Sequence, residues 1–508
     1  MKQFFAILCC ALSLSAPLWS AAMDSRVRSL NPTLAEQVFT APEQNLPAVV
    51  NRLTSGTSGV EARVKVLHDW ICDNIAYDTE VFDHPEIQRI QDYATVLRKK
   101  KAVCSGYTNL MNEMCRLAGV ESIGIIGYSK GFGYRGTIQE GQHPDHAWNA
   151  IRIGNRWQLI DVTWDAGFCE LKHFVKHYTT DWFRLTPEQF IFSHLPLDEQ
   201  YQYLKKTITK EEFVAQPYVP GRFFAQGLGF TKDMPQYTNT IAKAVSFTFT
   251  VRDSATIVNT AVIDADTGQP AANASFADRM AGKVIVTFDV PDKKTYKAKL
   301  TTRRRDETMN PMYIPTGEWE SYVMPQAGAL LAQKKITQKE YDFLAESYYK
   351  VKENGRYYLA EDLFATARNT AVTKTLKAIS YNTNNFEETL SLDIKAGETY
   401  SGYGSGRGRF PLVYAGYADA QNIQLISPRE GVLRKGSVQT FSIKCKDYTG
   451  FAFILSNGEW KFLTFNSSNG CYELEMEIPS DEESLTLMGT KDKRRYDGLV
   501  TFALEEEQ

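Results

Sequence analysis

"HAWNAIRIGNRWQLIDVTWDAG", residues 146–167, decides how this chain is read. Two alternating runs flank Gly154-Asn155, a pair suited to a two-residue hairpin turn. With those two residues as the loop, Ile153 faces Arg156 and the pairing follows a constant sum. Trp148 then faces Asp161, and His146 faces Thr163. Side chains alternate along a strand, so all four point to one face. His146 and Asp161 become diagonal neighbours, roughly 7–8 Å apart at the backbone, a gap that a carboxylate can bridge to an imidazole. The spacing predicts a His–Asp pair on a sheet face.

Upstream, "AVCSGYTNLM" (102–111) places a cysteine at the first turn of a helix predicted over 104–118. Tyr107, Met111, Met114 and Ala118 form its apolar stripe with Leu110 and Leu117, and Gly119 closes it. A cysteine near a helix start is most often a small hydrophobe. A thiol kept for chemistry profits there from unpaired N–H groups and the helix dipole, which favour the thiolate. A nucleophile needs a base, and the base an orienting group. If this helix packs across the hairpin sheet, Cys104 attacks an acyl carbon and His146 pairs with the thiolate. His146 then protonates the leaving group while Asp161 orients the imidazole. The Cys104 N–H helps hold the oxyanion.

An amphipathic helix is predicted over 59–76, behind a capping-box spacing at Ser58 and Glu61. A strand follows over 122–128 and a loop over 129–145. Residues 168–217 read as largely helical. From about 240 the texture turns to short β-rich runs, interrupted by a helical pattern over 328–380, and strands return from 420 to the end. Asp264-Ala-Asp266-Thr-Gly268 reads as a β-turn rather than a calcium loop, for want of the further acidic ligands. "GYGSGRGR" (402–409) lacks the ending of a phosphate loop. His173 and His177 have no acidic third ligand and read as surface or packing residues.

The 508 residues imply two to four domains. An apolar content of 43% and a charged content of 23% are ordinary for a globular protein. The formal charge of -3 argues against nucleic acid as a partner. Lys2, the apolar run Phe4–Leu18 and Ser20-Ala21-Ala22 read as a secretory signal cleaved after Ala22. No later run is long and apolar enough to span a bilayer. The expected location is therefore secreted, periplasmic or cell-surface. Eight cysteines include Cys9 and Cys10 within that signal, leaving six, and no CxxC occurs. Cys445 and Cys471 could pair, though strand alternation sets them on opposite faces, and the bridge is left open.

Cys104-Ser-Gly-Tyr107, His146-Ala-Trp148-Asn149 and Leu159-Ile-Asp161-Val-Thr-Trp164 resemble the transglutaminase-like (papain-like) superfamily. The match covers about residues 58–167. "FIFSHLPLDEQYQYLKKTITKEEF" (190–213) resembles an extension of its kyphoscoliosis-peptidase and cytokinesis-associated branch. "ISPREGVLRKGS" (426–437), with Trp460-Lys-Phe-Leu463, is similar to that branch's β-sandwich modules. The resemblance implies a Cys–His–Asp triad at Cys104, His146 and Asp161. Where the branch often has Gly, Asp165 stands here and is expected to add charge near the site. Gln91 and Tyr93 are candidates to complete the oxyanion hole, with surface roles as the alternative. Trp148 and Trp164 are candidates to wall the acyl pocket, with core packing as the alternative.

The expected fold class is α+β: a transglutaminase-like domain with its nucleophile helix on an antiparallel sheet, then Ig-like β-sandwich modules with a helical insertion. The expected boundaries are a signal at 1–22, a lead-in or cover at 23–57, a catalytic domain at 58–217, and modules at 240–418 and 420–508. The expected activity is acyl transfer on protein or peptide amides through a thioester, without metal or cofactor. Peptidase-type hydrolysis is favoured over amine cross-linking. The reading of another class is an inert scaffold whose β modules bind a cell-surface protein or glycan.

Overall fold

The computed structural model describes residues 23–84, 86–87, 91–131, 133–170, 173–231, 235–304, 324–334, 336–339, 341–342, 387–404 and 408–506. The expected signal at 1–22, most of the helical pattern over 328–380 and part of 402–409 lie outside these residues. The helices used below are α1 (Pro32–Thr40), α2 (Pro42–Thr54), α3 (Gly59–Asn74), α4 (Tyr93–Lys99), α5 (Cys104–Leu117) and α6 (Val162–Ala166).

Helix α5 forms where its apolar stripe predicts, burying Tyr107, Leu110, Met111, Met114 and Cys115. It closes on Gly119, which sits at φ +67° and donates to the Arg116 carbonyl, while the Val120 N–H reaches the Cys115 carbonyl at 2.9 Å. Gly106 explains the small residue two places after Cys104. A Cβ there would strike Gln91 Oε1 and come within 2.9 Å of Ala102 Cβ and Val96 Cγ2. Its absence lets the first turn of α5 press against α4. The capping box predicted for α3 does not form: the Ser58 side chain caps nothing, and Glu61 pairs instead with Arg184. Residues 23–57 are helical and share the core instead of covering the site. Val38, Leu46, Val49, Val50 and Leu53 are buried with Trp70 of α3 and Met111 and Met114 of α5.

The sheet comprises β1 (Ser122–Ser129), β2 (His146–Ile153), β3 (Arg156–Ile160) and β4 (His194–Pro196), ordered β3-β2-β1-β4 and antiparallel throughout. The hairpin register runs from Ile153↔Arg156 to Asn149↔Ile160, as its turn predicts. There the strand ends. Asp161 becomes the N-cap of α6, so Thr163 is helical, and His146 pairs across the sheet with Gly127. An aspartate that can cap two backbone N–H groups diverts the chain from the alternation expected up to Gly167. Helix α5 packs on one face: Asn149 Nδ2 donates to the Thr108 carbonyl at 3.1 Å and to Asn112 Oδ1 at 2.9 Å. On the other face Ile125, Trp148, Ala150 and Leu159 pack with Trp182, Leu185 and Phe190.

The helical reading of 168–217 needs correction. That stretch holds a hairpin (Gly167–Glu170 with His173–Lys176), a short helix Pro187–Phe190, β4, a 3₁₀ turn Glu199–Gln202 and a helix Lys210–Ala215. Its apolar residues anchor singly on the sheet, so their burial demands no helical period.

Two sandwiches follow. In the first, strands Thr238–Ile241, Glu387–Ala396, Thr295–Arg304 and Thr256–Asp264 form one sheet, and Leu228–Phe230, Val245–Val251, Lys283–Phe288 and Ser275–Met280 pair in the other. Asp264 Oδ1 accepts the N–H groups of Asp266 and Thr267, a turn as expected. In the second, Val438–Cys445 and Cys471–Glu477 belong to a sheet that continues into the first sandwich through Arg279↔Ile423. Buried Asp278 fastens that joint, accepting from Arg429 Nη1 at 2.5 Å and Tyr417 OH at 2.7 Å. Cys445 and Cys471 are both free thiols.

Candidate active site

His146 opens β2, and Asp161 stands where β3 gives way to α6. Capping holds one carboxylate oxygen: Asp161 Oδ1 accepts the N–H groups of Thr163 (2.9 Å) and Trp164 (3.1 Å). The other oxygen faces two imidazoles. His146 Nε2 lies 2.7 Å and His194 Nε2 3.1 Å from Asp161 Oδ2. With Nε2 of His146 so engaged, its Nδ1 is left free for a proton exchange with the neighbouring Cys104 side chain. Cys104 is the first residue of α5 and half-buried, whereas His146 and Asp161 are buried. The thiol therefore sits at the mouth of a site whose ion pair is sheltered. Since α5 covers the sheet face opposite Trp148, thiol and imidazole meet at the end of β2 and not across the sheet's middle.

Burial alone would push His146 down, but the charge of Asp161, the hydrogen bond to it and the Cys104 side chain lift it to about 10. Burial likewise opposes ionisation of Asp161, yet the His146 charge and the two imidazole hydrogen bonds hold it well below the usual carboxylate range. His194 goes the other way: burial drives it to about 4 against the pull of Asp161, helped by the neighbouring His146 charge.

Trp164 stacks on His146 with ring centroids 5.1 Å apart and remains partly exposed, so it walls the site. Trp148 is in the core, only 1% exposed, edge-on to His194 at 5.0 Å, and supports the site from beneath instead of lining a pocket. The Gln91 amide is engaged with backbone, its Oε1 accepting the Val103 N–H (3.1 Å) and its Nε2 donating to the Ile87 carbonyl (2.9 Å). It thus braces the entrance to α5. Tyr93 opens α4 beside a shallow hollow with Asn109, Asn112, Glu113 and Arg116, along the flank of α5 and away from the thiol. Asp165 also departs from expectation. Its carboxylate turns inward to His68 Nε2 (3.0 Å), Thr179 Oγ1 (2.6 Å) and the Trp182 N–H (3.0 Å). His68 in turn meets Asp69 Oδ1 at 3.0 Å, and Lys65 pairs with Asp69 Oδ2 at 2.5 Å. This buried network anchors α6, and with it Asp161, to α3.

The sequence reasoning missed His194, 33 residues from Asp161. The one signal was its place in "FSHLP", inside the stretch already read as the branch's extension. His146, Asp161 and His194 offer ligand atoms within 4.8 Å of one another. Both Nε2 atoms are spent on the carboxylate, so hydrogen bonding accounts for the cluster.

A family model described as the transglutaminase-like superfamily matches residues 47–162, which take in all three of Cys104, His146 and Asp161. The chain carries a transglutaminase-like domain. Kyphoscoliosis peptidase of Mus musculus is 32% identical over 213 residues, covering 42% of this chain and 32% of that protein. The protein of that name from Homo sapiens is 35% identical over 168 residues, covering 33% and 25%. The chain thus spans about a third or less of these relatives' lengths. Among solved structures, a TGase shares 16% identity over 30% of this chain and 35% of its own, with a TM-score of 0.19. The transglutaminase-like domain is followed by the sheet-rich sandwiches described above. Among the described residues, no helix is long and apolar enough to cross a membrane.

Proposed function

We propose that this protein is an exported cysteine-dependent acyl-transfer enzyme that hydrolyses amides of proteins or peptides. One observation carries the reading: a half-buried cysteine at the start of a 14-residue helix neighbours a buried histidine whose Nε2 lies 2.7 Å from a buried carboxylate. With its proton passed to His146, Cys104 Sγ attacks the amide carbon as the thiolate, and the C–N bond breaks as His146 gives that proton to the departing amine. The product is a thioester on Cys104. Neutral His146 then takes a proton from water, whose oxygen attacks the thioester. The C–S bond breaks, the acid leaves, and the thiolate–imidazolium pair is restored. Asp161 keeps its charge throughout and orients His146. Trp164 shields the imidazole from water on one side. The apolar run Phe4–Leu18 ahead of Ser20-Ala21-Ala22 supports export, and the sandwiches would offer surfaces to a cell-surface protein or glycan.

The test is release of amine from a peptide library by the full chain and by Cys104→Ala, with and without an added primary amine. Loss of release in Cys104→Ala, with an unchanged circular-dichroism spectrum, is expected. Release that survives the substitution overturns the assignment. Incorporation of the added amine would redirect the reading to cross-linking.

A further inference from the structure

The carboxylate of Asp161 serves two histidines, and the mechanism above uses only one. His194 comes from β4, the edge strand, which joins β1 through Ser129↔His194 and Gly127↔Pro196. Its ring lies in an aromatic cage: stacked on Phe190 at 4.0 Å, tilted to Trp164 at 4.5 Å, and edge-on to Trp148 at 5.0 Å and Trp182 at 5.2 Å. The ring is fully buried. A carboxylate only accepts, so Nε2 must carry the hydrogen toward Asp161 Oδ2. Nδ1 lies 2.8 Å from the Ser193 hydroxyl, which donates to the Phe190 carbonyl at 3.1 Å. The carboxylate thus fixes a hydrogen on Nε2 of His194.

We infer that His194 is a positioning residue that divides the hydrogen-bonding capacity of Asp161 Oδ2, and so tempers how strongly that oxygen holds the His146 proton. The reason is a balance at one atom. Every donor on Oδ2 withdraws electron density that would otherwise serve the His146 Nε2–H. Too tight a hold keeps His146 an imidazolium that yields its Nδ1 proton to the leaving amine reluctantly. The titratable groups facing His146 are Cys104, Asp161, His194 and Asp145. Of the two that can donate to Asp161, His146 moves a proton in the reaction and His194 stays fixed. The segment after the superfamily match therefore supplies part of the site, not only an extension of the fold.

This inference rests on the proposed triad, and the experiment separates the two. His194→Phe fills the aromatic cage without a donor, and His194→Gln restores an N–H close to the place of Nε2–H. Downfield proton spectra of the full chain at neutral pH read the imidazole N–H groups bound to Asp161 and need no substrate. In His194→Phe one such resonance disappears and that of His146 moves further downfield; in His194→Gln the His146 resonance returns toward its original position. In turnover, His194→Phe lowers kcat about tenfold with KM held, and His194→Gln recovers most of the loss. An unmoved His146 resonance in a folded His194→Phe, or His194→Gln matching His194→Phe in both readouts, overturns the inference. If His194→Phe does not fold, His194→Leu takes its place, with the same readouts and the same overturning outcomes. Activity surviving Cys104→Ala overturns the triad instead, while the spectra still report on His194.

Discussion

Replacing Asp161 by Asn keeps the shape of the side chain and removes its charge. The carboxylate accepts from four donors: two backbone N–H groups on Oδ1 and two imidazole N–H groups on Oδ2. An amide offers one acceptor oxygen and one NH₂ group. With the oxygen kept at the cap of α6, the NH₂ faces both imidazoles, and each must turn its Nε2 into an acceptor. His194 tolerates the change, since its Nδ1–H can donate to Ser193 Oγ and the hydroxyl on to the Phe190 carbonyl. His146 does not. Its remaining hydrogen moves to Nδ1, toward Cys104, and it can no longer take the thiol proton there. The loss in kcat is expected to be about 10³–10⁴-fold, the scale of a wrong-tautomer base. The same substitution should drop the His146 titration from about 10 to its ordinary value near 6.5 or below. That difference corresponds to roughly 5 kcal/mol of favourable interaction with the protonated ring. Histidine-selective isotope labelling reads the titration by NMR, and single-turnover amine release reads the rate. An Asp161→Asn variant whose His146 still holds its proton above pH 9, or whose rate falls less than tenfold, would refute this account of the carboxylate.

Two histidines should shape the pH dependence of stability in opposite ways. His146 is raised to about 10, so its contribution is complete below about pH 6.5 and is lost as pH rises through 10; His194 is lowered to about 4, so it is neutral in the fold, takes up a proton on unfolding, and costs stability as pH falls from about 6.5 to 4. Melting temperatures from pH 4 to 10 should show both limbs, and His194→Phe should flatten the acid limb relative to its own neutral plateau. Asp165→Ala should cost about 3–5 kcal/mol in urea denaturation, because it strips His68 of one of two buried carboxylates; a loss under 1 kcal/mol contradicts that role. Gly127→Ala would push a Cβ into the Leu195 carbonyl and to 2.6 Å from Trp148 Cη2, parting β1 from β4. About 1–3 kcal/mol of stability should go, and kcat should fall with it, because β4 carries His194; unchanged unfolding and turnover would show that the strands part without cost.

The hairpin was legible because its information is local. Gly154-Asn155 and the alternation on either side suffice to set Ile153 against Arg156, and His146 and Asp161 then lie within reach of each other. Helix α5 was legible for the same reason, with an apolar period and a glycine stop inside one short segment. The end of β3 was harder. Asp161 suits both a strand and a cap, and only the packed chain chose the cap. The helical reading of 168–217 failed where single aromatic anchors, each held by a different part of the sheet, replaced a periodic face. Gln91 and Tyr93 were candidates for the oxyanion hole and Asp165 a charge expected near the site, but Gln91 braces the Val103 backbone, Tyr93 lies along the flank of α5, and Asp165 turns to His68 of α3. The sequence by itself determined the hairpin register outward from Ile153↔Arg156 and the placing of Cys104 at a helix start, because turn and period act over a few residues. Tertiary structure decided which face α5 covers, that His194 joins Asp161 across 33 residues, and that two sandwiches share one sheet, because such contacts depend on how separate surfaces fit.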